Sequence, residues 1–212
     1  MRDLLLKMSI SVDGFVGGPK GEIDWMFPSR SPKGLEWVYK TIRGAGAHLI
    51  GSRTFAGWAR YWPCSTDRLA APMNEISKIV FSSRGRAGLT AALESAARAH
   101  ADSPVPVPES VSRSWLEPLV LSGDLGEEVL RLKQEDGPYL LAQGGAGFAR
   151  ALLARELVDE LRLVVHPAVL GRGLPLFADV PQPTQLALVS SEVFDSGAVA
   201  LVYRRSSTVG AS

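Results

Sequence analysis

The chain has 212 residues, of which 46% are hydrophobic and 21% charged, and its formal net charge is +1. These values are ordinary for a globular protein, and so small a net charge does not indicate binding to nucleic acid or to an acidic membrane surface. The single cysteine, Cys64, excludes an intrachain disulfide framework, and three scattered histidines give no metal-ligand spacing. The apolar run at the N-terminus is too short for a signal peptide or a membrane span, so we expect a cytoplasmic protein that binds no metal.

The N-terminal stretch predicts a strand followed by a flexible loop. Leu4 to Val16 is typical of a strand that is buried for much of its length and broken near Asp13-Gly14. Gly17 to Gly21 is a loop by composition, and Asp24 and Trp25 stand side by side just beyond it. Two interpretations of Asp24 stay open: a helix N-cap or solvated loop acid, or, with Trp25, a residue at the mouth of a pocket.

The next stretch predicts a helix and a core strand. Apolar residues at helical spacing predict a helix from Leu35 to Ile42, and His48 to Ile50 is a short core strand. Gly51-Ser52-Arg53-Thr54 then forms a strand-to-helix turn. A cation such as Arg53 at a helix start opposes the helix dipole, which mildly favours a bound anion there.

A third core strand runs from Ile79 to Phe81 and ends in polar residues. Ser82, Ser83 and Arg84 follow it, and their hydroxyls and guanidinium can bind a phosphate through several charge-assisted hydrogen bonds. Taken alone, however, a strand end of this kind is usually a solvated turn.

Residues 85–113 differ in composition from their surroundings. Thr90 to His100 is rich in alanine and predicts a helix, and Ser103 to Pro108 predicts an extended, solvated loop. We interpret the region as an insertion that is more mobile than its surroundings, within a single domain that spans residues 1–205. Residues 206–212 are predicted to be a disordered tail.

The strand and helix patterns resume at Leu119-Val120-Leu121. Asp124 and Glu127 are typical of a capping pair for the helix that follows. Tyr139 to Ala142 then predicts a buried strand, which runs into Gly144-Gly145-Ala146-Gly147 and another helix.

The C-terminal part begins with a strand from Glu160 to Val165 and a glycine-punctuated loop from Leu170 to Phe177. Leu186 to Phe194 and Ala198 to Tyr203 alternate as an antiparallel pair does. Strands that alternate with helices and end in a hairpin predict an α/β fold. Its sheet is mainly parallel, with helices on both faces and an antiparallel C-terminal edge.

The turn Gly144 to Gly147 has two interpretations. It can be a tight turn of any α/β protein, or a phosphate site in which glycines admit a ligand to the unpaired N–H groups of a helix start. In an open α/β sheet, ligands bind beyond the carboxyl ends of strands, so this turn, Gly51 to Thr54 and Ser82 to Arg84 can face one crevice. Three such contacts suggest a dinucleotide. An N-terminal G-x-G-x-x-G, a Walker lysine motif and a recognisable Ser/His/Asp set are absent, so neither an ordinary Rossmann domain nor hydrolysis is predicted.

Several motifs occur along the chain in one order: MSISVDGFV from Met8 to Val16, Gly51 to Phe55, Phe81 to Ser83, Gly144 to Gly147, and Pro167 to Phe177. This ordered set resembles the dihydrofolate reductase-like superfamily, in particular the branch related to the reductase domain of bacterial riboflavin biosynthesis. The resemblance implies a three-layer fold with a mixed, mostly parallel eight-stranded sheet. It also implies NADPH as the hydride donor and, commonly, a homodimer.

The resemblance also implies site residues. Asp13 or Asp24 would supply or relay the proton, and Glu36 is the nearest candidate for the helix carboxylate of dihydrofolate reductases. Because the insertion begins right after Ser83, Ser112-Arg113 could replace Arg84. The implied cofactor contacts are Val16, Gly51, Arg53, Thr54, Ser82, Ser83, Arg84, Gly144, Gly145, Ala146 and Gly147. The implied substrate contacts are Val12, Gly14, Trp25, Glu36, Leu170 and Gly171.

The leading hypothesis is therefore an NADPH-dependent reductase that transfers hydride to a C=N or C=O carbon of a small heterocyclic substrate, pyrimidine-like or pterin-like. A second hypothesis is a nucleotide- or small-molecule-binding protein on the same scaffold, without turnover. A third treats the glycine turns as purely structural, in a dimerising protein without a cofactor. A convincing proton donor would separate the first hypothesis from the second.

Overall fold

The structure is a computed structural model that describes residues 1–206. The predicted tail lies outside the described residues except for Ser206, whose backbone N–H donates to the Gln185 carbonyl. The chain divides into two compact units, Met1–Arg2 with Tyr39–Leu141 and Asp3–Val38 with Ala142–Ser212. The single domain over residues 1–205 stays a prediction.

Residues 1–206 form eight strands and seven α-helices. The strands are β1 (Leu4–Ser11), β2 (Ala47–Gly51), β3 (Ser77–Phe81), β4 (Leu119–Leu121), β5 (Leu140–Gln143), β6 (Glu160–His166), β7 (Leu186–Val193) and β8 (Val199–Arg205). The helices are α1 (Pro32–Arg43), α2 (Ser52–Tyr61), α3 (Ala70–Glu75), α4 (Thr90–Ala101), α5 (Glu109–Leu116), α6 (Leu125–Gln134) and α7 (Ala146–Ala154).

The strands form one eight-stranded sheet in the order β4-β3-β2-β5-β1-β6-β8-β7. β2 pairs in parallel with β3, β3 with β4, and β1 with β6. β8 runs antiparallel to both β6 and β7. The predicted fold class, a mixed and mostly parallel sheet with an antiparallel C-terminal hairpin, is confirmed.

The first unit contains the inserted region. The predicted helix from Thr90 to His100 is present as α4, and the stretch from Ser103 to Pro108 forms no helix or strand. The sequence did not predict α5, which follows that stretch. Its Trp115 is fully buried and stacks on Phe55 of α2, with 6.0 Å between the ring centroids.

The second unit contains β1, whose two faces differ in chemistry. Side chains alternate between the faces of a strand, so Leu6, Met8 and Ile10 share one face. Lys7, Ser9 and Ser11 share the other, which we call the polar face of β1. Parallel pairing with β6 sets Ser11 beside His166, so a histidine extends the polar face onto the next strand.

The hairpin of β7 and β8 ends the described chain. β8 is partly buried, through Ala200 and Val202, whereas β7 lies at the edge of the sheet with almost every residue exposed. Among residues 1–206, none of the helices has the length and apolar character needed to span a bilayer.

Candidate functional site

Two loops of the second unit are joined along their length by backbone hydrogen bonds. Val12 N–H donates to the Ala168 carbonyl at 2.8 Å, and Val16 N–H donates to the Leu174 carbonyl at 2.9 Å. At Gly173 a Cβ would lie 2.2 Å from the Gly17 carbonyl oxygen, so only glycine permits this approach. The predicted substrate contacts Val12, Gly14, Leu170 and Gly171 therefore belong to one paired-loop segment.

The side chain of Asp13, in the first loop, is hydrogen-bonded to the second loop. Its carboxylate accepts hydrogen bonds from the Ser11 hydroxyl at 2.6 Å and from the N–H groups of Leu170 at 3.1 Å and Gly171 at 2.7 Å. The Ser11 hydrogen bond, with those of the two amides, lowers the pKa of Asp13. A carboxylate held ionised in this way is suited to positioning the loops rather than to donating a proton.

Lys7 is a candidate that the sequence reasoning missed. Its Nζ lies 3.4 Å from Ser9 Oγ, and Lys7 forms no ion pair within residues 1–206. Burial, with a smaller contribution from the Arg30 charge, lowers the pKa of Lys7 to about 8. A partly buried lysine with a lowered pKa and no carboxylate partner marks a candidate functional site. The available signal was a lysine in the middle of the apolar run LLLKMSI.

His166 is a second missed candidate, on the same face. Its Nδ1 lies 2.7 Å from Ser29 Oγ, and the Ser29 hydroxyl donates to the Met26 carbonyl at 3.1 Å. The Ser29 hydroxyl has one proton for these two contacts, so the tautomer of His166 follows from which of them it donates to. Burial, and then the charges of Lys7 and Arg30, lower the pKa of His166 to about 4, so the ring is neutral at pH 7.

The other predicted residues of the second unit lie in different settings. Asp24 is exposed and begins a 3-10 helix, Asp24–Ser29, of which Ile23 is the N-cap residue. Asp24 thus lies in the first turn, where an acid is favourable, and is not itself the cap. Trp25 contacts the His166 ring edge-on, with 5.7 Å between centroids. Glu36 is half-buried in α1.

The glycine turn before α7 has two consecutive glycines with positive φ. Gly144 and Gly145 have φ values of 69° and 72°, a region that residues with a side chain rarely adopt. Gly145 is the N-cap of α7, and no side chain caps the helix start. The first N–H groups of α7, beginning with Ala146 and Gly147, are therefore suited to an anionic ligand.

The first unit places its two predicted anion contacts on neighbouring strands. Gly51, the N-cap of α2, also lacks a side-chain cap, and Arg53 and Thr54 lie in the first turn of that helix. Gly51 pairs in register with Phe81, so Ser82, Ser83 and Arg84 leave the sheet from the adjacent strand.

The proposed replacements for Arg84 are engaged elsewhere. Ser112 Oγ lies 2.9 Å from Nδ1 of the buried His100, and Arg113 pairs with Glu109 on the same helix. Across the part of the chain that the structure describes, no group of three or more His, Cys, Asp or Glu side chains is placed to hold a metal ion.

The chain is similar to known proteins both in sequence and in fold. Residues 2–200 match the family described as the RibD C-terminal domain. An uncharacterised protein of Bacillus subtilis, YyaP, is 30% identical over 204 residues, which cover 95% of this chain and 94% of that protein.

Two solved structures share the fold at low sequence identity. A putative riboflavin biosynthesis protein from Shewanella sp. PV-4 superposes with a TM-score of 0.68 at 17% identity, covering 96% of this chain and 99% of that one. A dihydrofolate reductase from Enterococcus faecalis, in complex with NADP(H) and RAB-propyl, gives a TM-score of 0.56 at 16% identity, covering 96% of each chain.

Proposed function

Because the chain belongs to the RibD C-terminal domain family, we propose that it is an NADPH-dependent reductase acting on a small heterocyclic substrate. Hydride is transferred to a C=N or C=O carbon of a pyrimidine-like or pterin-like ring. The observation that carries the proposal is Lys7, a partly buried ammonium with a lowered pKa and no carboxylate partner, on the polar face of β1. It supplies the proton donor that a binding protein without turnover does not need.

Lys7 acts in this proposal as the general acid. A group with a pKa of about 8 is mostly protonated at pH 7 and still releases its proton readily, as a general acid must. The ammonium protonates the nitrogen or oxygen of the reduced double bond. Asp13, which the sequence suggested for this step, instead holds Leu170 and Gly171 in place.

Each unit, taken by itself, offers groups that are suited to a phosphate of NADPH. The uncapped start of α7 offers backbone N–H groups, and its two glycines leave room for a phosphate beside the main chain. Arg53 at the uncapped start of α2 has no acidic residue in the same turn, so an anion would relieve its unfavourable position. Ser82, Ser83 and Arg84 add hydroxyl and guanidinium donors. Bound NADPH supplies the hydride.

NADPH titration monitored by fluorescence tests the proposal, with NADH titrated alongside. We expect binding in the range of about 1 μM to 1 mM that is typical of enzyme substrates, with NADPH the tighter ligand. Gly145→Asp should abolish binding because it adds both a side chain at positive φ and a negative charge. Gly57→Asp, in the body of α2 where a Cβ meets nothing within 4 Å, is the matched control.

Failure to bind either nucleotide would contradict the reductase proposal. If NADPH binds and no ring substrate oxidises it, the binding protein without turnover is the better description. Unchanged affinity in Gly145→Asp would show that the turn before α7 does not bind the cofactor.

A further inference from the structure

Lys78 is a buried base that the proposed reduction leaves unused. It lies on β3 in the first unit, and only 3% of the residue is exposed. Its Nζ donates to the Asn74 carbonyl at 2.6 Å and to Ser114 Oγ at 3.1 Å, and lies 4.7 Å from the centroid of the Trp115 ring. All three partners are neutral, so a positive charge at Nζ lacks the anion that buried charges normally have.

A second buried base lies beside Lys78. β2 and β3 pair in parallel with His48 opposite Lys78, so the two side chains share one face of the sheet. His48 is fully buried, and neither of its ring nitrogens has a hydrogen-bond partner within residues 1–206. Like charges held side by side away from water repel each other, so this covered face favours the neutral forms of both bases.

None of the acidic groups near β3 compensates the charge of Lys78. Burial therefore lowers the pKa of Lys78 to about 7. Apart from His48, the titratable groups of the elements packed against β3 are all exposed, and β4 has none. They are Arg53, Arg60 and Tyr61 on α2, Glu75 on α3, Glu109 and Arg113 on α5, and Glu117 just after α5.

α5 is the helix that covers Lys78, through Ser114 and Trp115. It has only eight residues, and the stretch from Ser103 to Pro108 before it forms no helix or strand. Its last residue contacts the segment after β3, because Arg86 Nη2 donates to the Leu116 carbonyl at 3.1 Å. A short helix with such a connection can separate from the sheet by a local opening, without unfolding of the strands.

We propose that protonation of Lys78 weakens the docking of α5 on β3, which makes α5 a pH-sensitive element of the first unit. Separation of α5 admits water to Nζ, and a hydrated lysine has an ordinary pKa of about 10.5. Between about pH 7 and 10.5 the open form therefore binds a proton that the docked form does not. Opening takes up this proton, so it becomes more favourable as the pH falls through that window. The inference does not depend on the reductase proposal.

Hydrogen exchange of backbone amides in the full chain tests this. Protection factors, in which the chemical exchange rate is divided out, are compared at pH 9 and pH 7 for the amides from Ser112 to Glu117. We expect wild-type protection at pH 7 to be about tenfold to a hundredfold lower, because each pH unit in this window changes the opening equilibrium by up to about tenfold. The amides of α6, in the same unit, should be better protected than those of α5 at both pH values.

Two variants of neighbouring strands separate Lys78 from other titrating groups. Lys78→Met keeps a long apolar stem and cannot take up a proton, so its α5 protection should be the same at pH 9 and pH 7. His48→Leu is the matched control. Burial lowers the pKa of His48 to about 3, and an unfolded histidine titrates at about 6.5, so His48 stays largely neutral in this window whether α5 is docked or open. The wild-type difference should therefore persist in His48→Leu.

Three results would overturn the inference: equal wild-type protection of α5 at the two pH values, a difference that persists in Lys78→Met, or equal protection of α5 and α6. The last would show that the unit opens as a whole. If Lys78→Met does not fold, the ¹⁵Nζ resonance of Lys78 in the wild type replaces it. A titration midpoint near pH 7, together with the loss of α5 protection, supports the inference, and a midpoint near 10.5 contradicts it.

Discussion

Lys7 and Asp13 differ in how their surroundings fix their ionisation. Burial without a carboxylate partner lowers the pKa of Lys7 to about 8, which brings it close to physiological pH. Hydrogen bonds, first from Ser11 and then from two amides, lower the pKa of Asp13 and move it away from physiological pH. One residue is thus poised to exchange a proton and the other is held as an anion, which is why we assign catalysis to Lys7 and loop positioning to Asp13.

The role of Lys7 predicts a pH dependence of turnover. The ammonium form is needed, so kcat should be constant below the pKa and fall as the pH rises through about 8. Lys7→Met should reduce kcat by about a hundredfold or more while NADPH affinity changes little. In Lys7→Arg, which stays charged, kcat should no longer decrease at alkaline pH. The rate of NADPH oxidation between pH 6 and 10 is measured for the wild type and for both variants. A wild-type decline that persists in Lys7→Arg would assign it to another group.

His48 predicts how folding stability responds to acid. It is fully buried on β2 with both ring nitrogens unpartnered within residues 1–206, and burial, then the Lys78 charge, lower its pKa to about 3. Below about pH 6.5 this histidine is protonated in the unfolded chain but stays neutral in the folded chain. The free energy of unfolding therefore decreases as the pH falls, by up to about 1.4 kcal/mol per pH unit for each such histidine.

Urea unfolding between pH 7.5 and 4 measures this effect, and His48→Leu should show a shallower decline than the wild type. Some decline should remain, because His166 has a lowered pKa as well. Identical slopes for the two proteins would show that His48 is protonated in the folded state without penalty.

At the scale of elements, α5 depends on a single aromatic anchor. Trp115 stacks on Phe55, and its indole N–H donates to Asn74 Oδ1 at 2.8 Å. Lys78 Nζ lies over its ring, 4.7 Å from the centroid. We expect Trp115→Ala to cost about 3–5 kcal/mol of unfolding free energy and to release α5, as large-to-small core changes do.

Thermal or urea unfolding measures this loss, and Arg113→Ala on the same helix is the control. The Arg113 side chain is 60% exposed, so its removal should change stability by less than about 0.5 kcal/mol. Comparable losses in the two variants would mean that α5 is not held by its tryptophan.

The same helix shows where sequence reasoning ends. Strands β2 and β3 each contain a short apolar run, Leu49-Ile50 and Ile79-Val80-Phe81, followed by glycine or polar residues, so their pattern is local and could be predicted. The segment ESVSRSWL of α5 has only one apolar cluster at its end, and its helix depends on contacts with residues distant in the chain. His166 was missed for a related reason: its place beside Ser11 arises from the pairing of β1 with β6, which no local pattern reveals.

At the scale of the whole molecule, the exposed edge strand β7 supports the homodimer that the family resemblance implies, and we propose β7 as its interface. Leu188, Val189 and Val193 are each more than half exposed, and Glu192, the strand's charged residue, already pairs with Lys33 at 3.2 Å. An antiparallel pair of β7 strands would therefore bring no unpaired like charges together. A cavity of about 170 Å³ beside the strand, with apolar walls, could take side chains of the partner.

The proposed homodimer predicts that a charge on β7 dissociates the protein. Val189→Lys should give a monomer at micromolar concentration in sedimentation velocity, because two buried lysines would face each other across the two-fold axis. Leu130→Lys, at an equally exposed site on α6, should leave the assembly unchanged. A wild-type protein that sediments as a monomer would contradict the proposal.

The pairing of β1 with β6 also affects how the protein is made. Leu4 and the Asp159 carboxylate that accepts its N–H are 155 residues apart in the chain. At a synthesis rate of about 5–20 residues per second, β1 leaves the ribosome roughly 8–30 s before its partner strand exists. During translation the run LLLKMSIS is an unpaired hydrophobic strand, open to chaperones and to neighbouring nascent chains. Lys7 then gives this run a charge that opposes aggregation, before folding partly buries that charge on the polar face of β1.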